Sequence, residues 1–594
     1  MAVLAVLVFG NSLANDFAYD DEFVVEDREL VHGLSNVPAL LTAEYWPESY
    51  HSGLYRPVTL LSFAVDWKFW SGRPVGFHLT NVLLHAAVSA LVALLLLQLF
   101  PWWAALAGGI VFAVHPIHTE AVANIVGRGE LLAGLFTLLA CLIYTRAVRS
   151  EGLSPGAMVL IAISYAFACF SKEVGVILPG LLVATDLALV RDGRIDDFRA
   201  YARSRLPLFT ALGAVLLLVL GVRWAVLGAP LEHQPAGAFA LDESFPTRLF
   251  TMARVWPRYL ELCFFPTNLS ADYSPAVILP TDRLTALGAL GLLMILGIIL
   301  LAIASFRRTP EVSMALAWAA VALLPVSNLL VVSEIVLAER TLYLPSVAVS
   351  MLAALMLVGS TRVRRGWVVV GLSLWIVGFS VVTVRRNPVW HNTNSVFEDL
   401  RRRHPESSRL LFGVGYQFYQ DGQWDQAREW FRRSIRMWPY NATHRADYAA
   451  YLADHFEWEE ADSMVAGAVE LRPTARDYHV LLASIRLQKG DPAGAVQAID
   501  RALGVLGPEA TLFTVQAMAY ARLGALESAI LAQESAVRTR EGEPYWRDWL
   551  GLAQLRVAVG DTAGAVAALR EARQAKGAEP GIADSLEASW SPVP

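Results

Sequence analysis

The chain has 594 residues, of which 55% are hydrophobic and 17% charged, with a mean hydropathy of +0.44. Soluble globular chains carry about 25% charge, so this composition excludes a soluble enzyme of this size and a disordered protein. A net charge of −6 makes no case for nucleic acid binding, and three cysteines (Cys141, Cys169, Cys263) are too few and too scattered for a disulfide framework or a zinc site.

Charge divides the chain in two. Residues 401–594 hold 47 of the Asp, Glu, Lys and Arg side chains, roughly 24% of that stretch, against 55 in residues 1–400, roughly 14%. The first part is lipid-soluble and the second water-soluble. Lysine is nearly absent, 4 residues against 44 arginines, and with abundant alanine this reads as a GC-rich bacterial gene.

A membrane-spanning helix needs about 20 mostly apolar residues. Residues 2–13 are apolar but number only about a dozen. They read as a first span shortened by truncation or a misassigned start, or as a cleaved signal peptide. Met1-Ala2-Val3-Leu4 has no basic n-region, which argues against the latter. A long loop over residues 14–76 follows. It opens with Asn11-Ser12-Leu13-Ala14-Asn15-Asp16-Phe17-Ala18-Tyr19-Asp20-Asp21-Glu22, three consecutive acids just past the membrane. Carboxylates beside low-dielectric surroundings hold their protons more tightly and can serve as general bases. The plainer reading is a solvated acidic loop, since Glu26, Asp27 and Glu29 follow. Tyr55-Arg56-Pro57 and Phe77-His78-Leu79-Thr80-Asn81 frame an aromatic, amphipathic stretch (Phe63, Trp67, Phe69, Trp70) suited to the interface.

Spans are expected at 77–99, 103–115, 129–147, 157–171 and 174–190. His115-Pro116-Ile117-His118-Thr119-Glu120 ends the third, and Gly127-Arg128-Gly129-Glu130 follows. Two His three residues apart with a Glu can ligate a metal. Without HExxH or a third strong ligand, a Pro-terminated helix that orients the acidic loop explains them better, and no metal is assigned. Ser171-Lys172-Glu173 sits between two apolar runs at the same face. Charges so near the membrane core are costly and tend to be functional; Lys172 reads equally as a phosphate contact or as a snorkelling partner of Glu173.

Further spans are expected at 206–224, 283–305, 311–331, 342–360 and 367–384, with a second long loop at 225–282. Ala338-Glu339-Arg340-Thr341-Leu342-Tyr343-Leu344-Pro345-Ser346 places Arg340 at the entrance of the tenth. A guanidinium grips phosphate through paired N–H donors; an interfacial anchor is the alternative. With the N-terminus inside, the inner loops carry Arg146 and Arg149; Arg191, Arg194, Arg199, Arg203 and Arg205; Arg307 and Arg308; and Arg362, Arg364 and Arg365. Eleven spans then place the C-terminal part outside, with Asn387-Pro388-Val389-Trp390 marking the exit.

In that part Ala427, Ala461, Ala495, Ala529 and Ala565 recur at intervals of 34, 34, 34 and 36 residues. Phe431, Val465, Ile499, Gln533 and Leu569 stand four residues later, and Pro439, Pro473, Pro508 and Pro544 fall near the unit ends. This resembles the tetratricopeptide repeat, in which small residues let paired helices approach and proline ends the second helix. Five units over about 408–577 predict an α-solenoid. Such a solenoid takes a peptide or protein in its concave groove, or serves as a spacer or dimer surface.

The run from Asn11 to Asp21, Tyr-Arg-Pro at 55–57, Phe-His-x-x-Asn at 77–81, His115 to Arg128, Ser-Lys-Glu at 171–173 and Ala338 to Ser346, in this order before such repeats, resemble the TMTC family of transmembrane and tetratricopeptide-repeat proteins. Arg248 to Tyr273 looks like that family's second lumenal loop. The family is similar to the GT-C glycosyltransferases, and its eukaryotic members are protein O-mannosyltransferases. The resemblance implies an all-α protein: a polytopic bundle of about eleven spans over 1–386, a linker at 387–407 and the solenoid at 408–594. It implies inverting transfer of a sugar, mannose first, from a polyprenyl-phosphate donor to Ser/Thr hydroxyls of an acceptor held by the repeats. Asp20 or Asp21 is nominated as base, Arg340 with Arg128 and Lys172 for the donor phosphate, and His115, His118, Glu120, Glu173, Arg56 and His78 as support. The rivals are a non-enzymatic membrane-anchored scaffold and a lipid-linked sugar transporter. A transporter tends to carry charge at mid-membrane rather than at one face.

Overall fold

The computed structural model describes residues 1–47, 53–150, 152–186, 198–228, 244–274, 276–333, 335–360, 362–540 and 545–575, with isolated positions beyond. It is 79% helical, with no strand among the described residues. Arg191, Arg194 and Pro544, the end of the 174–190 run and the middle of the 225–282 loop lie outside them. The chain forms two compact units, Met1–Gly413 and Val414–Pro594.

In the first unit, five helices are long and apolar enough to cross a membrane: Pro74–Leu96, Ile125–Arg149, Ala202–Leu227, Ala286–Ser305 and Arg364–Trp390. A sixth candidate is the pair Trp102–Val114 and Pro116–Ala123, bent by 45°. The bend is chemical: Pro116 cannot donate into the preceding turn, so the helix stops at Val114 and restarts after His115. Ala2–Ala14, Pro155–Ser171, Pro310–Val326 and Ser346–Val358 are apolar but shorter. Helical length alone therefore does not reach the expected eleven spans, although apolar helices occupy the expected places. The shortfall arises because several runs break into short turns, at Pro116, at Lys172 and at Pro325. The result is a multi-pass membrane protein.

Pro74–Leu96 and Ile125–Arg149 form the middle, 56% and 61% buried, whereas Ala202–Leu227, Ala286–Ser305 and Arg364–Trp390 are 11–17% buried. The peripheral helices show their leucines and valines outward, as lipid requires. Helices in lipid associate through small residues and close backbone approach. Gly108 is such a point: a Cβ there would lie 2.5 Å from the Ser350 carbonyl oxygen of Ser346–Val358.

The stretch 387–407, expected as a linker, is part of this unit. Thr393–Arg403 is a helix capped by Asn392, whose side chain accepts from the Ser395 amide. Arg386 pairs with Asp399 at 2.5 Å, and the Ser407 hydroxyl donates to Asp272. Buried charge and long-range hydrogen bonds thus fix the segment expected as a linker.

The second unit stacks helix pairs, from Trp424–Met437, Ala442–Asp454 and Trp458–Leu471 to Trp546–Ala558 and Thr562–Gln574; Ser408–Gln420 crosses the boundary between the units. Ala427, Ala461, Ala495, Ala529 and Ala565 are all fully buried where helices meet. Gln533, which departs from the apolar pattern, is buried and donates its amide to the Asp548 carbonyl oxygen at 3.0 Å. Each repeat touches its neighbours, so the array is expected to fold without the membrane part. An excised 408–594 fragment should show strongly helical circular dichroism and one cooperative melt; a non-cooperative melt would show that it needs the first unit.

Candidate functional site

The acidic run divides by environment. Asp21 is fully buried. Its carboxylate accepts the Val126 amide at 2.8 Å, the Ala18 amide at 3.2 Å and the Ile125 amide at 3.3 Å. It holds the turn at Ile125–Gly127, where Gly127 is required because a Cβ would meet the Ala121 carbonyl oxygen at 2.5 Å. Burial pushes Asp21 up to about 8 against the pull of those three amides. A carboxyl that keeps its proton longer folded than unfolded makes stability fall as pH rises through that window. The first loop should therefore melt at lower temperature at pH 8 than at pH 5, and Asp21→Asn should flatten that dependence.

Asp20 differs. It is half-buried, and among the described residues its carboxylate has no hydrogen bond or ion pair. Burial raises its proton affinity, while the Arg340 and Arg409 guanidinium groups pull it down. The preceding Tyr19 adopts φ 59, a left-handed conformation uncommon for a bulky residue. Three contacts hold this turn: the Tyr19 amide donates to Thr393 Oγ1 at 2.7 Å, Asp16 N–H to the His391 carbonyl at 2.8 Å, and Thr393 Oγ1 to Glu22. Strained backbone kept in place by long-range contacts is a mark of functional sites.

Asp20 faces a cationic cluster. The Arg340 side chain donates through Nη1 to Glu120 Oε1 at 2.7 Å and its backbone amide to Oε2 at 2.8 Å. Glu120 is 2% exposed, so it acts as a rigid anchor for Arg340. Lys172 Nζ donates to Glu130 at 2.5 Å. Arg56 donates to Glu173 through Nε at 3.0 Å and Nη2 at 2.8 Å, and lies 4.6 Å above the Tyr45 ring. Arg409 reaches the Tyr19 hydroxyl. Burial and the neighbouring Arg56 and Arg340 lower the Lys172 ammonium, while its Glu130 partner opposes that. The Tyr45 hydroxyl is buried with no partner among the described residues, an orphan in a charged cluster.

Other nominated residues hold the scaffold. Arg128 is fully buried, and all three of its nitrogens are engaged: Nε with Asn81 Oδ1 at 2.8 Å, Nη2 with the Phe77 carbonyl at 2.8 Å, and Nη1 with Asp66 at 2.6 Å. It also stacks on Phe63 at 4.8 Å. Nη1 also donates to the Ser62 carbonyl at 3.3 Å, so four of its five N–H donors are engaged within the protein, and the arginine expected at the donor phosphate also ties this scaffold together. His115 Nε2 donates to the Cys263 carbonyl at 2.9 Å, and its Nδ1 accepts from Ile117. His118 Nε2 lies 2.8 Å from the Ser346 hydroxyl, and His78 Nε2 lies 3.2 Å from the Asp16 carbonyl. Among the described residues no group of three His, Cys, Asp or Glu is placed to hold a metal.

Sequence reading missed Tyr45, Arg409 and the Glu339–Tyr273 contact. The Tyr273 hydroxyl donates to Glu339 at 2.7 Å, tying the second long loop to the residue before Arg340. Burial raises Glu339 to about 7. Arg409 lay in an arginine-rich run with no distinguishing neighbour, so nothing local marked it.

The geometry defines a class: a multi-pass helical membrane protein with a carboxylate–guanidinium site on the loops at one end of its bundle, followed by tetratricopeptide repeats. Residues 394–442, 449–511 and 481–544 match a tetratricopeptide repeat family model. The chain's curated homologues are TMTC-family proteins. The "Protein O-mannosyl-transferase F38B6.6" of Caenorhabditis elegans is 26% identical over 73% of this chain and 62% of its own length. The human "Protein O-mannosyl-transferase TMTC3" is 24% identical over 83% of this chain and 62% of its own. This chain thus spans less than two thirds of the length of these relatives. The crystal structure of MamA protein aligns with 32% of this chain and 98% of its own, at TM-score 0.26 and 17% identity.

Proposed function

We propose that the protein is a membrane glycosyltransferase that moves a sugar, mannose first, from a polyprenyl-phosphate donor to Ser/Thr hydroxyls of a protein acceptor. The observation that carries this is Asp20: a half-buried carboxylate, unpaired among the described residues, facing an arginine that Glu120 holds rigid. Asp20 takes the acceptor hydroxyl proton as the oxygen attacks the anomeric carbon. The bond from that carbon to the phosphate oxygen breaks with inversion. Arg340, with Lys172 beside it, stabilises charge developing on the leaving phosphate. The lipid tail stays in the bilayer, so a site on loops at the bundle end suits the donor. The Tyr45 hydroxyl offers a hydrogen bond to the sugar. The repeats, on the extracytoplasmic side of a bacterial cell membrane with the N-terminus inside, bring the acceptor and raise its local concentration.

Purified protein incubated with labelled polyprenyl-phosphate mannose and cell-envelope proteins should transfer label to protein; no transfer with any polyprenyl-phosphate sugar would favour the scaffold reading. A general base must be ionised to act, and burial raises Asp20. The acidic limb of the rate profile should therefore lie above the ordinary carboxylate range near pH 4.

Arg340→Ala is expected to weaken donor use far more than acceptor use, and Arg340→Lys to restore only part of it, because paired-donor geometry is lost. Arg340→Ala also leaves Glu120 buried without its cation. The double variant Arg340→Ala/Glu120→Gln separates the two effects: it should recover stability but not donor use. Equal loss for both substrates in the double variant would assign Arg340 a folding role.

A further inference from the structure

Away from the Asp20 cluster, a cavity of about 530 Å³ opens between the Phe245–Phe264 helix, the end of the second long loop and the C-terminal end of the Thr393–Arg403 helix. Its polar wall carries Arg254, Arg258, Arg403 and His404, and no carboxylate lines it among the described residues. Arg254 and Arg258 are one helical turn apart and so share a face. Arg258 is partly neutralised by Glu261 at 2.5 Å and Arg403 by Asp399 at 2.9 Å. Among the described residues Arg254 pairs with no acid, donating only to the Leu279 carbonyl at 3.2 Å. The cavity therefore has an excess of guanidinium charge, with planar donors arranged for an oxyanion.

Its lining also includes apolar side chains, Ile278 and Leu287 among them. Leu287 lies in the first turn of Ala286–Ser305, a candidate span only 11% buried. Leu290 and Leu293 continue down that helix, 49% and 66% exposed. The guanidinium groups thus sit at the head of an apolar, lipid-facing track. Soluble anions need the charge but not the track; a lipid needs both.

We infer that this cavity binds the phosphate headgroup of an anionic membrane lipid, with Arg254, Arg258 and Arg403 around the phosphate and the chains laid along Ala286–Ser305. The site shares no lining residue with the Asp20 cluster, and the inference stands whether or not the chain transfers sugar. One wall residue, Tyr273, also donates to Glu339, next to Arg340, so an occupied cavity would brace the loop that carries that arginine.

The test uses the full chain in nanodiscs of phosphatidylcholine containing labelled phosphatidylglycerol, with retained label counted after exchange into unlabelled phosphatidylcholine. Wild type should retain phosphatidylglycerol over labelled phosphatidylcholine. Arg254→Gln should lower that retention about tenfold, the loss of one charge-assisted contact, and Arg254→Lys should keep most of it. Arg403→Gln, at an exposed position, should also lower it and serves if Arg254→Gln does not fold. No preference for the anionic lipid, or wild-type retention in both Gln variants, would overturn the site. Release of the lipid by an equal concentration of inorganic phosphate would overturn the lipid assignment and leave a site for a free anion.

Discussion

Asp20→Asn is expected to lower sugar transfer by about 10²–10⁴-fold, the usual cost of losing a general base, while expression, membrane insertion and melting temperature stay unchanged. The carboxylate makes no described contact that Asn would break, and Asn is nearly the same size. The reaction loses its proton acceptor, and Arg340 and Arg409 lose the pull of a neighbouring negative charge. Asp21→Asn should behave in the opposite way. It replaces one of two oxygens that together accept three backbone amides, and sets an amide N–H against one of them. A buried donor left unsatisfied costs about 1–3 kcal/mol, so this variant should be less stable, with activity lost in proportion to unfolding. Labelled transfer and thermal melts on both variants decide the matter. Full activity in Asp20→Asn would remove the base and favour the membrane-anchored scaffold; loss of activity without loss of stability in Asp21→Asn would move the base by one residue.

What sequence shows and what it conceals follow from the range of the interactions. The alanines at 427, 461, 495, 529 and 565 mark helix contacts within a repeat, a local property, and each is buried as the period requires. Apolar runs mark membrane helices for the same reason. The span count was less legible, because length in the bilayer depends on where helices break, as they do at Pro116 and Lys172. Adjacent acids could not be told apart at all. Asp20 and Asp21 have the same local sequence, and they differ because the amides of Ile125 and Val126, more than a hundred residues away, close on one and not the other. Arg56 and Glu173 were both visible as motif residues; that they pair with each other was not. The 387–407 stretch was expected as a linker; the Asp272 and Arg386 contacts that bind it come from residues outside that stretch.

Arg128 gives the second large effect, on stability rather than on chemistry. Its side chain is fully buried and its three nitrogens run in three directions, to Asn81, to the Phe77 carbonyl and to Asp66, with the Phe63 and Phe77 rings against its guanidinium plane. Removing one partner of a buried ion pair costs about 3–5 kcal/mol, because the other charge is left without compensation. Arg128→Met should therefore lower the melting temperature and the yield of folded protein strongly. Arg128→Lys should recover little, since a single ammonium cannot reach three acceptors. Asp66 is 6% exposed, so Arg128→Met/Asp66→Leu removes both charges and should regain part of the loss. Its remaining deficit measures Asn81 and the Phe77 and Ser62 carbonyls, which still lack the arginine donor. The folded fraction of each variant should keep its donor affinity, because the Arg128 guanidinium is fully buried and each of its nitrogens is bound within this cage. If folded Arg128→Met protein instead loses donor affinity at unchanged stability, the guanidinium must leave this cage during turnover, and its place among the donor contacts would be restored.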